Sequence, residues 1–404
     1  MFAGSMIRRI GPFIVALLLT ASGAHSLDEA GHLSSPTVEQ LSSSLEQRLV
    51  WTLLDVQAGR LDDALEHVNR LIEKQPDFEL AQLVRGDVLS ALASPLGGFG
   101  ARGSTQDRLD GLRDEAKARL VRFLDAPPAL AVPADLVQIP ETASHAILID
   151  THNYRLYVFE TIGNETRRVF DFYVSIGKGG DDKRFEGDEK TPIGLYRVAS
   201  YLPGERLPDM YGKGAFPIDY PNNWDRFLGR TGSGIWIHGT ESARYSRPPL
   251  SSRGCVTLSN QDFLRLKETV KVGQTPVVLS RGVRWVSSGS IDAVRESVSE
   301  AVESWRLDWE SRDSERYLSN YSQSFRTPGM SRAAFAAHKR RVNSSKSFIK
   351  VGVRDVGIYG YPGEPAMVTV EFTQDYRSDS FNASKKKRQY WRFEEGAWRI
   401  VFES

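Results

Sequence analysis

A single cysteine, Cys255, stands in the whole sequence, so no disulfide can form within the chain. Neither sign of charge dominates: 52 Lys and Arg face 51 Asp and Glu, which removes any overall bias toward nucleic acid or an anionic membrane surface. The seven histidines show no paired metal-ligand spacing, so no metal and no cofactor is expected. Long hydrophobic runs are missing too. The stretch from Ile10 to about Thr20 falls well short of the roughly 20 residues of a membrane span. With Arg8 and Arg9 before it and Ala24-His25-Ser26 after it, the run has the layout of a secretory signal peptide over residues 1–26. No transmembrane segment is expected once it is removed.

What is present is an ordinary globular composition, 25% charged and 40% apolar over 404 residues, enough for two or three domains with cores of their own. Leu41, Leu45, Leu49 and Leu53 recur every fourth position, which predicts a helix over Val38 to Val56. A second amphipathic segment carries Ala64, Leu65, Val68 and Ile72, a third runs from Phe78 to Ala93, and a fourth from Thr105 to Leu124 after a Gly-rich loop. The placement of Gly59, Ala64, Pro76 and Gly86 resembles a tetratricopeptide helix pair. The Pro-rich stretch 125–145 then reads as a linker.

From Ala146 the period changes to two. Strands are predicted at Ala146 to Asp150, Arg155 to Glu160, Arg168 to Ile176, Gly194 to Tyr201, Gly234 to Gly239, Cys255 to Leu258 and Thr275 to Ser280. Past Trp285 the helical period returns through Ile291, Val294, Val298, Val302, Trp305 and Trp309, and Tyr317, Tyr321 and Phe325 are expected on a second short helix. Four more strands are expected near 348–358, 366–372, 389–393 and 398–402, so this end is an α+β domain. The run Lys385-Lys386-Lys387-Arg388 reads as a solvated strand end or turn.

An exported thiol without a partner is either a small buried apolar group or a reactive one, and its neighbours decide. His238 closes the predicted strand Ile235-Trp236-Ile237-His238, and Cys255 opens another, 17 positions later. The Pro-rich and Ser-rich loop between them can fold back and bring thiol and imidazole together. A cysteine beside a basic imidazole is expected to become a thiolate near neutral pH, as acyl transfer requires. Trp236 shares strand parity with His238 and is expected to face the same cleft or to pack in the core. The segment Gly177-Lys178-Gly179-Gly180-Asp181-Asp182 lacks the spacing of a phosphate-binding loop and reads as a turn.

The pair His238-Gly239 followed by Ser252-Arg253-Gly254-Cys255-Val256 resembles the YkuD-type L,D-transpeptidases. The resemblance extends to Gly187-Asp188-Glu189-Lys190-Thr191-Pro192-Ile193-Gly194 and to Gly273-Gln274-Thr275-Pro276-Val277, so it covers about 146–281. It implies that Cys255 attacks a substrate carbonyl, that His238 takes the thiol proton, and that the Gly239 carbonyl orients the imidazole. It further implies oxyanion donors at the Gly254 and Cys255 amides, with Arg253, Ser252, Trp236 and Tyr220 toward the substrate. Trp305, Tyr317, Tyr321, Phe325, Phe372 and the terminal Gly396-Ala397-Trp398-Arg399-Ile400 resemble an NTF2-like cone over 289–404, with an aromatic-lined cavity.

The expected fold is therefore multidomain: an α-helical, tetratricopeptide-like region (27–124), a linker, a central mainly-β YkuD domain and a C-terminal α+β NTF2-like domain. The resemblance implies a periplasmic enzyme acting on peptidoglycan stem peptides through a Cys255 thioester. Transfer to an amine or a wall-anchored protein would make it a transpeptidase, and transfer to water an L,D-carboxypeptidase or endopeptidase. The segments Tyr201 to Arg230 and Glu241 to Ser251 flank the site, and the first is expected to close over it as a lid. A non-catalytic wall-binding scaffold is the reading from another class.

Overall fold

The structure is a computed structural model and describes residues 44–93, 106–162 and 165–404. The predicted signal peptide and the Gly-rich loop lie outside the described residues. At the N-terminal end, helices Ser44–Gln57, Leu61–Lys74 and Glu79–Ala93 pack side by side, and Gln106–Leu124 lies across the first and third. Their apolar stripes meet in one cluster of Leu45, Leu49, Val68, Leu71, Phe78 and Val84. Tyr245 of the next domain completes that cluster, its ring 4.5 Å from Phe78.

The central domain is built around two main sheets, with a short parallel pair, Ile176–Gly177 and Leu250–Ser252, beside them. In the larger, the strand order is Glu165–Tyr173, Arg155–Ile162, His145–Asp150, Pro276–Ser280, Gly194–Arg197. In the smaller it is Val256–Thr257, Trp236–His238, Gly214–Pro217, Leu202–Pro203. Ile147 and Ile149 point into a core shared with Ile237, Val256 and Phe263, while Ala146 and Leu148 point into a second cluster with Leu136 and Tyr359. Both faces of that strand are covered, which is why its sequence is a continuous apolar run.

The C-terminal domain is a seven-stranded sheet in the order Met330–Ser331, Tyr321–Thr327, Ala397–Glu403, Asn382–Glu394, Met367–Ser378, Ile349–Gly360, Leu136–Gln138. Helices Ser288–Glu310, Ser314–Ser319 and Arg332–Ser344 accompany it, and Trp305, Trp309, Tyr317 and Phe335 pack with Val370, Phe372 and Trp391. The opposite face meets the catalytic domain. Trp224, on the short helix Asn223–Phe227, stacks 4.7 Å from Tyr390 and edges onto Phe402 at 5.2 Å.

Three expectations are corrected here. The stretch 125–145 is not a free linker: Val132–Pro133 pairs with Trp285–Val286, and Leu136–Gln138 adds the edge strand to the C-terminal sheet. Tyr321 and Phe325 sit on a strand rather than a helix. A spacing of four residues is even, so it keeps one strand face as readily as one helix face. Arg388, taken for a solvated end, is inside the strand Asn382–Glu394 and pairs with Glu371 and with Asp219 at 3.4 Å. Arg197 of the catalytic domain reaches the same Glu371 carboxylate, and these groups line a polar cavity of about 510 Å³ between the two domains. Lys387 is 3.2 Å from Glu403, and Lys386 is exposed.

Candidate active site

Two short parallel strands carry the chemistry. Ile237 pairs with Val256 and His238 with Thr257, so Trp236, His238, Cys255 and Thr257 share one face, with Cys255 two residues back from the partner of His238. Burial on a strand flanked by Gly214–Pro217 holds the imidazole still. Its Nδ1 lies 2.6 Å from the Gly239 carbonyl. A carbonyl oxygen can only accept, so Nδ1 carries the proton and Nε2 presents its lone pair. Thr257 Oγ1 is 3.4 Å from that Nε2.

The half-buried Cys255 thiol donates to the Gly234 carbonyl at 3.5 Å. Burial pushes the thiol above its ordinary range, against the opposing pull of the Trp236 backbone. Burial also brings His238 down to about 4, although its bond to Gly239 works the other way. In both groups burial disfavours the charged form. Both directions run against a preformed thiolate–imidazolium pair.

The turn that presents Cys255 is tied on three sides. Ser252 Oγ accepts from the Gly254 N–H at 3.1 Å and donates to the Cys255 carbonyl at 2.5 Å. Thr191 Oγ1 donates to the Gly254 carbonyl at 3.0 Å. Gly254 has φ +113°, and a Cβ there would meet the Lys190 carbonyl at 2.7 Å, so only glycine fits. Ser252 is thus buried as a staple of the turn and does not face substrate as expected. The Gly254 amide, one of the two expected oxyanion donors, is committed to it. Arg253 projects into solvent with its side chain 87% exposed, its guanidinium 4.0 Å from Glu189.

The other aromatic positions divide. Trp236 and His238 share a third ring, Tyr211, at 4.8 and 5.0 Å. Tyr220 is not at the cleft: it is buried in the core against Tyr196, with its hydroxyl donating to the Thr231 carbonyl. Asn260 was not singled out at all. Its amide donates to the Thr240 carbonyl and its Oδ1 accepts from the Lys213 N–H, closing the floor beneath Gly239.

Nor is the flanking segment a free lid. Residues 201–230 fold into two strands, two 3₁₀ turns and the helix that Trp224 anchors in the C-terminal sheet. The segment after Glu241 is held as well, with Arg247 bonded to Glu241 and to the Met210 carbonyl, and Ser246 to Glu115 of the N-terminal helices.

A thiol, a tautomer-fixed imidazole and a constrained glycine turn on a mainly-β frame suit an acyltransferase- or peptidase-type catalytic domain, the class to which the family match points. Residues 144–279 match the L,D-transpeptidase catalytic domain family, YkuD, and residues 297–404 match the Cds6 C-terminal NTF2-like domain. The chain belongs to the YkuD family of peptidoglycan L,D-transpeptidase domains, with an NTF2-like domain behind it. It is similar to Bdellovibrio bacteriovorus Bd1075, 32% identical over 68% of this chain and 97% of that one, with a TM-score of 0.59. It is similar also to the helical cell shape determining protein Pgp2 of Campylobacter jejuni, 26% identical over 68% and 94% of the two chains, with a TM-score of 0.57. No curated protein matches. Among the described residues no helix is long and apolar enough to cross a membrane.

Proposed function

We propose that this chain is an exported, periplasmic enzyme that breaks the bond between the L-centre of residue three and the D-residue at position four of peptidoglycan stem tetrapeptides. The observation that carries the reading is the His238 tautomer, which turns Nε2 toward the face shared with Cys255. Sγ adds to the carbonyl carbon while its proton passes to Nε2, and charge gathers on the carbonyl oxygen beside the Cys255 amide. The C–N bond then breaks, the leaving amine takes the proton from His238, and a Cys255 thioester remains. An amine from another stem discharges it with return of the proton to sulfur, which is transpeptidation. By likeness to Pgp2, the product serves wall remodelling that sets cell shape.

A second reading, hydrolysis to tripeptide as an L,D-carboxypeptidase, is favoured by one observation. The flanking segments are pinned from both sides, by Trp224 and by Ser246, so no closure excludes water from the thioester. Mass spectrometry of purified muropeptides incubated with the protein and a free D-amino acid separates the two. Exchanged tetrapeptide supports transfer, tripeptide alone at saturating acceptor supports hydrolysis, and unchanged substrate with a normally reactive thiol supports the inert scaffold.

A further inference from the structure

We infer that Thr191 is a positioning residue for the acylation step: its hydroxyl sets the plane of the Gly254–Cys255 peptide and so aims the amide that receives the oxyanion. The inference rests on the thioester reading above.

Thr191 is fully buried, and its Oγ1 is used twice, accepting from the Gly177 N–H at 2.9 Å and donating to the Gly254 carbonyl at 3.0 Å. Its own N–H donates to the Gly180 carbonyl at 2.9 Å, and its carbonyl accepts from the Lys183 N–H at 3.2 Å, so the residue is fixed before it touches the turn. Gly177, the other partner of the hydroxyl, pairs with Ser252 in a parallel strand ladder. One hydroxyl therefore ties the strand that pairs with the turn's leading strand to the peptide at the turn's tip.

The consequence follows from peptide planarity. Carbonyl and N–H of one trans peptide lie in a plane and point oppositely, so holding the Gly254 oxygen holds the Cys255 N–H. The alternative donor, the Gly254 N–H, is occupied by Ser252. Catalysis by such a donor depends on its being in place before charge develops, and a displacement of about 1 Å can cost on the order of 10²-fold. Valine would keep the shape of Thr191 and remove both bonds.

The test compares two reactions at the same sulfur, acylation by a soluble tetrapeptide muropeptide and alkylation by iodoacetamide. Alkylation at a saturated carbon develops no oxyanion. Thr191→Val should lower the acylation rate at saturating muropeptide by roughly 10- to 100-fold with little change in KM, while iodoacetamide reacts within about twofold of the parent. Thr191→Ser, which keeps the hydroxyl, should restore most of the rate, and Thr191→Ala serves the comparison if the valine variant does not fold. Undiminished acylation in T191V overturns the inference, and so does a serine variant as slow as the valine one. Equal loss in both reactions also overturns it, since the whole turn would then have collapsed. If the parent alkylates but is never acylated, the thioester reading fails and this inference with it.

Discussion

Thr257 Oγ1 sits 3.4 Å from His238 Nε2, the nitrogen that carries the free lone pair and the proposed acceptor of the Cys255 proton. With Nδ1–H given to Gly239, the threonine hydroxyl is the donor in this contact. Burial disfavours the charged form of each group, the Cys255 thiolate and the His238 imidazolium.

That pairing sets a pH profile. Burial raises the thiol and lowers His238 to about 4, so alkylation of Cys255 by iodoacetamide should be slow at neutral pH and climb into the alkaline range. Acylation, which needs the neutral imidazole, should fail on the acid side only near pH 4. A plateau of alkylation already reached at pH 6 would show a preformed ion pair instead.

The same depression makes His238 a stability group. Its folded value, about 4, lies below the ordinary 6.5, so the unfolded chain binds the extra proton first. The stabilisation is complete above pH 6.5 and declines as pH falls toward 4. His238→Gln should flatten that part of the melting-temperature profile relative to the parent, and an unaltered slope would assign the acid sensitivity elsewhere.

The reach of sequence reasoning follows from what each signal is made of. That the strand ending in His238 and the one after Cys255 come together was legible because both are short apolar runs joined by a loop long enough to fold back, and the C-terminal strands because alternation at Val368, Val370 and Phe372 is geometric. Tyr220 was misplaced because an aromatic in a Pro-rich stretch reads as surface until its hydroxyl is seen on Thr231. The edge strand Leu136–Gln138 was hidden among prolines, since a three-residue strand has no period to detect. Thr191 lay inside a motif already marked, but which atom it holds is a tertiary fact.

Trp224 is the anchor between catalytic and C-terminal domains, stacked on Tyr390 with Tyr361 and Phe402 around it. Trp224→Ala should cost about 3–5 kcal/mol at that contact and loosen the segment 201–230 that carries Tyr211. Differential scanning calorimetry should then resolve two transitions where the parent shows coupled melting. A single transition at the parent temperature would mean that the Arg197, Glu371 and Arg388 contacts suffice.

The N-terminal helices are joined to the catalytic domain through charge, and that joint is the most exposed to a single substitution. Arg155, fully buried, holds Asp171 at 2.7 Å and Glu46 of the first helix at 2.7 and 3.0 Å, while Arg119 of the fourth helix reaches Glu46 at 2.9 Å. Burial alone would push the Glu46 carboxyl up, but Arg155 and Arg119 overcome it and hold the group at about 2. A carboxyl depressed in this way stabilises the fold above about pH 4.5 and loses that contribution as pH falls through 2. Glu46→Gln keeps the shape and removes the charge, leaving Arg155 with Asp171 and Arg119 with Glu115 but no carboxylate shared between the two guanidinium groups. Breaking a buried pair from one side costs about 3–5 kcal/mol, more than an isosteric amide would lose on a surface. The expected result is a large drop in melting temperature at pH 7, with the helices 44–124 becoming the first segment cut by a protease. Because Ser246 and Tyr245 lean on those helices, the segment beside Arg247 should loosen with them and muropeptide turnover should fall. Retention of both stability and turnover in E46Q would show that Asp171 alone balances Arg155 and that the helical layer is held by its apolar contacts.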